Sequence, residues 1–151
     1  MLQIIQTGFD TRPIEMQPMW LITYQAPAED IDRVFDAICA ITPLVQGNTD
    51  RNGYRTPGGQ EYYRPREGTP AGAEDELRRR PGVNEMRFFL PRDENVLDAV
   101  IEAIYEVHSY YEPVIIVQEV LRSLCRGLDY SDNPTAGGTI TVTGRRRLKT
   151  G

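Results

Sequence analysis

Residues 84–117 read NEMRFFLP, RDENVLDAVIEAIYEV, HSYYEP and VIIV, and this stretch decides the fold. The first segment is apolar and ends in proline, which is typical of a buried strand. Residues 96–105 carry apolar side chains at i, i+3, i+4 spacing, which predicts an amphipathic helix with Asp93 as its N-cap. The β-branched run after Pro113 predicts a second strand, to about Val120.

The same order of elements occurs once before in the chain. Residues 19–24 are apolar and β-prone, which predicts a buried strand. Residues 31–41 carry apolar side chains at helical spacing, and Thr42-Pro43 ends that helix. Two strand–helix–strand units of this kind predict an α+β, ferredoxin-like split βαβ sandwich. In that fold an antiparallel sheet of four strands carries both helices on one face.

The segments around these units are predicted from their turn-forming residues. Residues 1–18 lack sustained periodicity and are expected to form a loosely ordered extension to a domain over residues 19–134. Two tyrosine-bearing segments within Tyr54–Arg64 suggest a hairpin about Pro57-Gly58-Gly59. The Pro, Gly, Glu and Arg content of residues 65–82 predicts a long surface loop.

The end of the chain allows more than one interpretation. Residues 117–125 suit a continued strand, but their apolar side chains also stand at helical spacing, so helix stays open. Residues 122–134 look irregular. The tail, residues 135–151, contains GGTITVTG at 137–144, whose alternation at period two is typical of an added edge strand.

The charge balance excludes several classes of function. Seventeen Lys and Arg against 22 Asp and Glu give a net charge of −5, which is unsuited to nucleic acid or an anionic membrane. Two cysteines and one histidine are too few for a zinc finger, an iron–sulfur cluster or a disulfide scaffold. No run approaches the roughly 18–20 apolar residues of a membrane helix, and the N-terminus lacks a secretory signal. We therefore expect a cytoplasmic protein with no nucleic-acid or membrane partner.

Tyrosines and arginines cluster within the predicted hairpin. Tyr54, Tyr62 and Arg64 could line a cleft for a small anionic molecule. The same residue types are enriched in protein–protein interfaces, and the interface is the interpretation we favour. Tyr110, in a second polar and aromatic segment, is a further candidate for either role.

His108 and Glu112 are the candidate metal ligands. Imidazole and carboxylate both bind divalent ions, and other subunits of an oligomer would supply the remaining donors. The alternative is structural, since a histidine at a helix C-terminus suits the helix dipole. The residues alone favour the structural role.

Other charged and nucleophilic residues give no catalytic pattern. Residues 74–80 place three acidic residues before three arginines, which is typical of a solvated loop or of a short helix with i, i+4 ion pairs. No Ser/His/Asp or paired-carboxylate arrangement follows from the spacing, and no glycine pattern of a nucleotide-binding loop is present. We expect no catalytic machinery.

Two stretches resemble a known family. Residues 108–114, His-Ser-Tyr-Tyr-Glu-Pro-Val, resemble the His-Pro-Tyr-Glu-Glu-Pro motif of the Nif-three-like (YqfO) proteins and the His-Pro-Tyr-x-x-Pro motif of CutA. Residues 59–88 resemble the domain inserted in Nif-three-like proteins, with Tyr63-Arg64-Pro65, Glu67-Gly68 and Glu85-Met86-Arg87 at the matching positions.

This resemblance covers about residues 19–120 and implies a CutA-like, PII-like ferredoxin fold that forms trimers. The positions that match the motif residue by residue are His108, Tyr110, Glu112 and Pro113. Ser109 and Tyr111 depart from it. In that family the metal-binding residues lie in a flanking domain, which this chain is too short to contain, so hydrolase activity is not carried over.

These features predict a non-catalytic regulatory or binding module that is a homo-oligomer, with the trimer favoured. An open sheet leaves one face and two edges to bury, and Met86, Phe88 and Leu90 would give that face apolar cover. The module would sense a metal ion or a small anionic ligand at clefts between subunits. A divalent metal ion is the one candidate cofactor, and the residues establish none. The alternative is an oligomeric scaffold that docks a protein partner, and a small enzyme comes third. An apolar, filled cleft would favour the scaffold.

Overall fold

The computed structural model describes residues 2–11 and 13–125, which form three helices and five strands. In chain order these are α1 (Leu2–Thr7), β1 (Phe9–Asp10), β2 (Ile14–Pro27), α2 (Ile31–Ile41), β3 (Tyr54–Tyr63), β4 (Arg78–Leu90), α3 (Glu94–Val107) and β5 (Ile115–Cys125). No helix in this part of the chain is both long enough and apolar enough to cross a bilayer.

The main sheet has the order β5–β2–β4–β3, and every neighbouring pair is antiparallel. α2 connects β2 to β3, which run parallel with β4 between them, and α3 connects β4 to β5 with β2 between them. This is the split βαβ topology, so the predicted α+β, ferredoxin-like fold is confirmed. A short strand, β1, pairs with the start of β2 and extends the four predicted strands to five.

The core lies between one face of the sheet and the two long helices. Tyr24 of β2 and Phe88 of β4 are both buried and pack edge-on, with ring centroids 6.4 Å apart. The Tyr24 hydroxyl donates to the carbonyl oxygen of Ile31, at the start of α2, across 2.7 Å. The predicted helix stripes supply the other side of the core, with Ile31, Val34 and Ile38 from α2 and Val100 and Ile104 from α3. Burial of each large apolar side chain contributes about 1.5–3 kcal/mol.

The two long helices begin differently. The Asp93 carboxylate accepts the backbone N–H groups of Asn95 and Val96, at 3.0 and 3.4 Å, which confirms it as the N-cap of α3. Asp30 occupies the N-cap position of α2, but its carboxylate makes no capping bond and accepts a hydrogen bond from Arg33 at 3.0 Å. That carboxylate therefore faces away from the helix backbone.

The face of the sheet opposite the helices carries different residues from those predicted. Met86, Phe88 and Leu90 were expected there, but strand alternation turns them toward the helices, where they form part of the core. That expectation is wrong. Because directly opposed residues share a face, the register places Leu21 and Phe89 on the open face instead.

The N-terminal part of the sheet starts earlier than predicted. β2 begins at Ile14 rather than Met19, so the end of the predicted extension 1–18 belongs to a strand. Residues 14–18 pair with residues 121–125 of β5. β5 runs for 11 residues, and its second half has residues 14–18 as its partner in β2.

The hairpin predicted for Tyr54–Arg64 is wrong. These residues form one strand, β3, which pairs with β4 instead of folding on itself. Pro57-Gly58-Gly59 makes an irregularity in β3, where the register shifts, rather than a turn. Gly58 has a φ of 79°, which favours glycine or asparagine, whereas a Cβ on Gly59 would lie 2.6 Å from the Val83 carbonyl oxygen, so Gly59 must be glycine.

The long loop predicted over residues 65–82 is shorter in the structure. β4 begins at Arg78, not near Asn84, so the three arginines at 78–80 lie on a strand. Their partners are residues 61–63 of β3, which extend the sheet beyond the predicted hairpin. The run of arginines is thus held in a regular geometry instead of a solvated loop.

β5 confirms the strand predicted after Pro113 and continues to Cys125. The helical alternative for residues 117–125 is wrong, as is the irregular structure predicted for residues 122–125. Pairing with β2 along its whole length stabilises the extended backbone. The edge strand predicted within the tail, residues 135–151, lies outside the described residues.

Candidate functional site

β3 and β4 continue as a two-stranded arm beyond the point where β2 ends. The last β2–β4 pair joins Pro27 to Val83, whereas β3 and β4 stay paired as far as Tyr63 and Arg78. We call residues 60–63 and 78–81 the arm. Side chains alternate between its two faces, and among the described strands only β3 pairs with this part of β4.

The three arginines at the start of β4 lie over tyrosine rings. Arg79 is 5.7 Å from the ring centre of Tyr62 on one face of the arm. On the other face, Arg78 and Arg80 are 5.9 and 5.8 Å from the ring centre of Tyr63. Each such contact contributes about 0.5–1 kcal/mol at an exposed site. The stacking also orients each guanidinium group.

His108 ends α3 and anchors the loop of residues 108–114 that leads to β5. Its Nε2 lies 2.6 Å from the Gln25 carbonyl oxygen, and its Nδ1 accepts the backbone N–H of Tyr110 at 2.9 Å. Because an N–H can only donate, Nδ1 is unprotonated and Nε2 carries the ring proton. Both nitrogens are engaged, so a metal ion would have to displace one of these bonds.

Tyr110 joins the same loop to the arm. Its hydroxyl donates to Glu61 Oε2 across 3.0 Å, and the Arg80 guanidinium lies 4.9 Å from its ring centre. Glu61 and Arg80 are directly opposed on β3 and β4, so Tyr110 contacts both strands of the arm. Burial raises the pKa of Tyr110, and the hydroxyl therefore remains a donor at neutral pH.

A third contact ties the loop to the start of α2. The Ser109 hydroxyl and the hydrogen bond from Arg33, at 3.0 Å, lower the pKa of the Asp30 carboxylate. Three consecutive residues thus connect the loop to three elements: His108 to β2, Ser109 to α2 and Tyr110 to the arm. The position of the loop is fixed by the rest of the fold.

A cleft of about 330 Å³ opens where the arm leaves the sheet. It is lined by Gln25, Thr56, Pro57, Gly58, Gly59, Gln60, Glu61, Val83 and Glu85. Gln25 Nε2 donates to Glu85 Oε2 at 2.9 Å, and the other Glu85 oxygen lies 3.6 Å from Arg87. The irregularity in β3 forms one wall. A small cleft lined by converging polar groups suits a small polar ligand.

The predicted ligand or interface residues occupy separate places. Tyr62 lies on the arm below Arg79, and Tyr110 contacts the arm from the loop. Tyr54 lies at the opposite end of β3, paired with Arg87 and 69% exposed. Arg64 follows β3 and is exposed. The structure therefore brings Tyr62 and Tyr110 to the arm and places Tyr54 elsewhere.

The predicted metal ligands do not converge on a third donor. Glu112 is exposed in the loop, whereas His108 is only 8% exposed and hydrogen-bonded through both nitrogens. Over residues 2–11 and 13–125, no group of three or more His, Cys, Asp or Glu residues could hold a metal ion. The metal site at His108 and Glu112 stays a prediction.

Sequence reasoning missed Glu61, Gln25 and the arginines of the arm as site residues. The arginine run was recognised but was assigned to a loop, because its strand partner lies on the far side of a long insertion. Gln25 contributes its backbone carbonyl to His108, and a carbonyl leaves no signal in a sequence. The one signal for Glu61 is that it shares a strand face with Tyr63, two residues further on.

Similar folds occur among solved structures, although no family model and no curated protein matches the chain. A protein related to NIF3 from Bacillus cereus is similar with a TM-score of 0.58 and 20% identity, covering 77% of this chain and 29% of that one. CutA from Synechococcus elongatus is similar at 0.51 and 18%, covering 72% and 82%. The periplasmic divalent cation tolerance protein CutA from Archaeoglobus fulgidus is similar at 0.51 and 16%, covering 72% and 88%.

The chain has a CutA-like ferredoxin fold. The resemblance that residues 59–88 and 108–114 indicated is thereby confirmed at the level of the fold. Identities of 16–20% define the fold and leave the function to be argued from the site. The chain spans less than a third of the NIF3-related protein, whose activity is not transferred to it.

Proposed function

We propose that this chain is a non-catalytic binding module that takes up a small cationic ligand in the cleft beside the arm. Glu61 carries the proposal, because it lines the cleft and also accepts the hydrogen bond from Tyr110. A ligand that engages Glu61 changes the bond that holds the loop to the arm. Occupancy of the cleft would then alter the position of the arm, which is what a regulatory module requires.

Of the two ligand classes that the sequence predicts, a metal ion and a small anion, the lining of the cleft favours the cation. Its two ionisable residues, Glu61 and Glu85, are both carboxylates, and Thr56 and two glutamines add neutral oxygens. Oxygen donors of this kind are the ligands that Mg²⁺ and Ca²⁺ prefer. The CutA protein from A. fulgidus, which has a similar fold, is named as a divalent cation tolerance protein. A divalent cation is therefore the first ligand to test.

Thermal-shift measurements with Mg²⁺, Ca²⁺, Mn²⁺ and Zn²⁺, and with phosphate and citrate as anions, test this proposal. A ligand that binds only the native state raises the unfolding midpoint by mass action. We expect at least one divalent cation to raise the midpoint of the wild type and to have no effect on Glu61→Gln.

Glu112→Gln is the matched control, since it removes the same charge from an exposed position of the loop. It should respond like the wild type. A response to anions alone would contradict the proposal. So would a cation response that Glu112→Gln abolishes and Glu61→Gln retains, because that result would return the site to His108 and Glu112.

We propose further that the module is a homo-oligomer, with the trimer favoured. The open sheet face carries Leu21 and Phe89, and β3 and β5 are the edge strands of the described sheet. Oligomerisation would cover this face and shield the edges. Light scattering at micromolar concentration tests the proposal, and a monomer would contradict it.

A protein-docking scaffold is the second candidate function. It is favoured by exposed aromatic side chains, since Tyr62 is 58% exposed and Tyr111 is 92% exposed. Against it, the cleft beside the arm is unfilled and has Glu61 and Glu85 in its lining, which suits a small ligand better than a filled protein interface. A scaffold would lose partner binding in Tyr62→Ala and show no response to small ligands.

A further inference from the structure

The arm carries a second candidate site that does not depend on the cleft. We propose that Arg79 and Arg80 bind an extended, carboxylate-rich peptide segment of a partner protein. Arg79 is exposed and stacked on Tyr62, and Arg80 is exposed and stacked on Tyr63 and Tyr110. These ring contacts restrain each guanidinium group and so lower the entropic cost of binding a carboxylate.

The charges of these arginines are not neutralised within the described chain. Arg78 forms a salt bridge with Glu74, but neither Arg79 nor Arg80 has a carboxylate within salt-bridge distance among the described residues. The strands of the arm carry three arginines and one glutamate, Glu61, in a protein whose net charge is −5. The arm is thus a local positive surface on an acidic molecule. It complements a short acidic segment.

The backbone of the arm favours an extended partner over a compact ion. β4 pairs with β2 only from Val83 onward, and the Gly82 carbonyl oxygen accepts the Ala28 N–H, so residues 78–81 have β3 as their sole strand partner in the described chain. An extended peptide can add to such an edge through main-chain hydrogen bonds. Arg79 and Arg80 are consecutive and lie on opposite faces of the arm. Successive side chains of an extended peptide also point to opposite faces, so adjacent carboxylates of an added strand can reach both arginines.

Nucleic acid is the less favoured polyanion. Its affinity rests on many phosphate contacts over a long basic surface, and two arginines on an acidic protein offer few. A fluorescein-labelled peptide of ten glutamates, titrated with the full chain and followed by anisotropy, tests the proposal. A ten-glutamine peptide is the uncharged control. We expect saturable binding of the glutamate peptide alone, weaker at about 300 mM salt than at about 50 mM salt.

Variants locate the binding surface. Replacing Arg79 and Arg80 together by Gln should weaken binding about tenfold, since each exposed ion pair contributes about two- to fivefold. Arg51→Gln removes an exposed arginine outside the arm and should leave the affinity unchanged. Arg79→Lys retains the charge but loses the planar stacked fork, so it should be about threefold weaker than the wild type.

Several results would overturn the proposal. They are no saturable binding by the wild type, an equal loss in Arg51→Gln and the arm variant, or tighter binding of a ten-nucleotide single-stranded DNA than of the glutamate peptide. Failure here is distinguishable from failure of the cleft proposal. Glu61→Gln removes a negative charge from the arm, so it should retain peptide binding even where it abolishes the cation response.

Discussion

The hydroxyl of Tyr110 lies 3.0 Å from Glu61 Oε2, a hydrogen bond between residues 49 positions apart in the chain. It connects the loop after α3 to the arm, at the point where Glu61 also lines the cleft. Changes in the cleft and in the arm are therefore coupled through one carboxylate. Substitutions of Tyr110 and Glu61 therefore test this coupling directly.

Removing this hydrogen bond should loosen the arm. Tyr110→Phe keeps the ring beside Arg80 but removes the hydroxyl, and we expect a loss of about 1 kcal/mol in the free energy of unfolding. Urea denaturation gives that free energy, and hydrogen exchange should show faster exchange in residues 60–63. Tyr111→Phe, at an exposed position in the same loop, is the control and should behave like the wild type. Identical exchange in both variants would refute the role of Tyr110.

His108 should matter for stability rather than for metal binding. His108→Ala removes two hydrogen bonds and leaves the Gln25 carbonyl without its ring partner, so unfolding should cost about 2–3 kcal/mol less. Denaturation measures this loss. Zinc and copper titrations should give the same result for the variant and the wild type. A zinc-dependent rise in midpoint that only the wild type shows would establish the metal role instead.

Acid should destabilise the protein partly through Asp30. Ser109 and Arg33 hold its folded-state pKa below the ordinary value of 3.8, so the folded protein retains the carboxylate more strongly than the unfolded chain does. That stabilisation is fully present above the unfolded pKa and is lost as the pH falls through the lowered folded value.

Ser109→Ala should raise the pKa of Asp30 toward its ordinary value and make the acid loss of stability less steep. An NMR titration of the Asp30 carboxyl, with urea unfolding at each pH, measures both effects. Asp98→Asn, an exposed carboxyl of α3, should leave the Asp30 titration unchanged. If Ser109→Ala leaves the pKa of Asp30 where it was, the loop is not tied to α2 as described.

The irregularity in β3 should tolerate a substitution of Gly58 but not one of Gly59. Gly59→Ala places a Cβ 2.6 Å from the Val83 carbonyl oxygen, so the strands must separate, and we expect a loss of about 2 kcal/mol. Gly58→Asn has open space around it, and asparagine accepts a positive φ, so it should cost well under 1 kcal/mol. Denaturation of the two variants compares them. Equal losses would contradict the strand geometry beside the cleft.

Local patterns predicted the two long helices, their positions and the Asp93 cap, because apolar spacing and capping act within a few residues. Pro57-Gly58-Gly59 satisfies every local rule for a turn, yet it lies within a strand. Its structure is decided by β4, whose paired residues at 78–85 stand beyond the long loop. The pattern of turn residues could not report a partner so distant in sequence.

The candidate site was less predictable for the same reason. Tyr110 and His108 could be singled out from one short motif, but their partners Glu61 and the Gln25 carbonyl lie 49 and 83 positions away. Tyr62 was identified by its residue type. Arg79, which lies over the Tyr62 ring, was not identified, because residues 54–64 were predicted to form a hairpin and residues 65–82 a loop. The residue types therefore indicated which side chains carry the chemistry of the site. They did not indicate which residues lie beside those side chains in the fold.

The most direct test of the proposed function is an NMR titration of ¹⁵N-labelled protein with Mg²⁺ and with Ca²⁺. For at least one of these ions we predict saturable shifts of the backbone amides at residues 56–61 and 83–85, with a smaller change at Tyr110 and none of these shifts in Glu61→Gln. Shifts concentrated at His108 and Glu112, or no saturable shift with either ion, would contradict it.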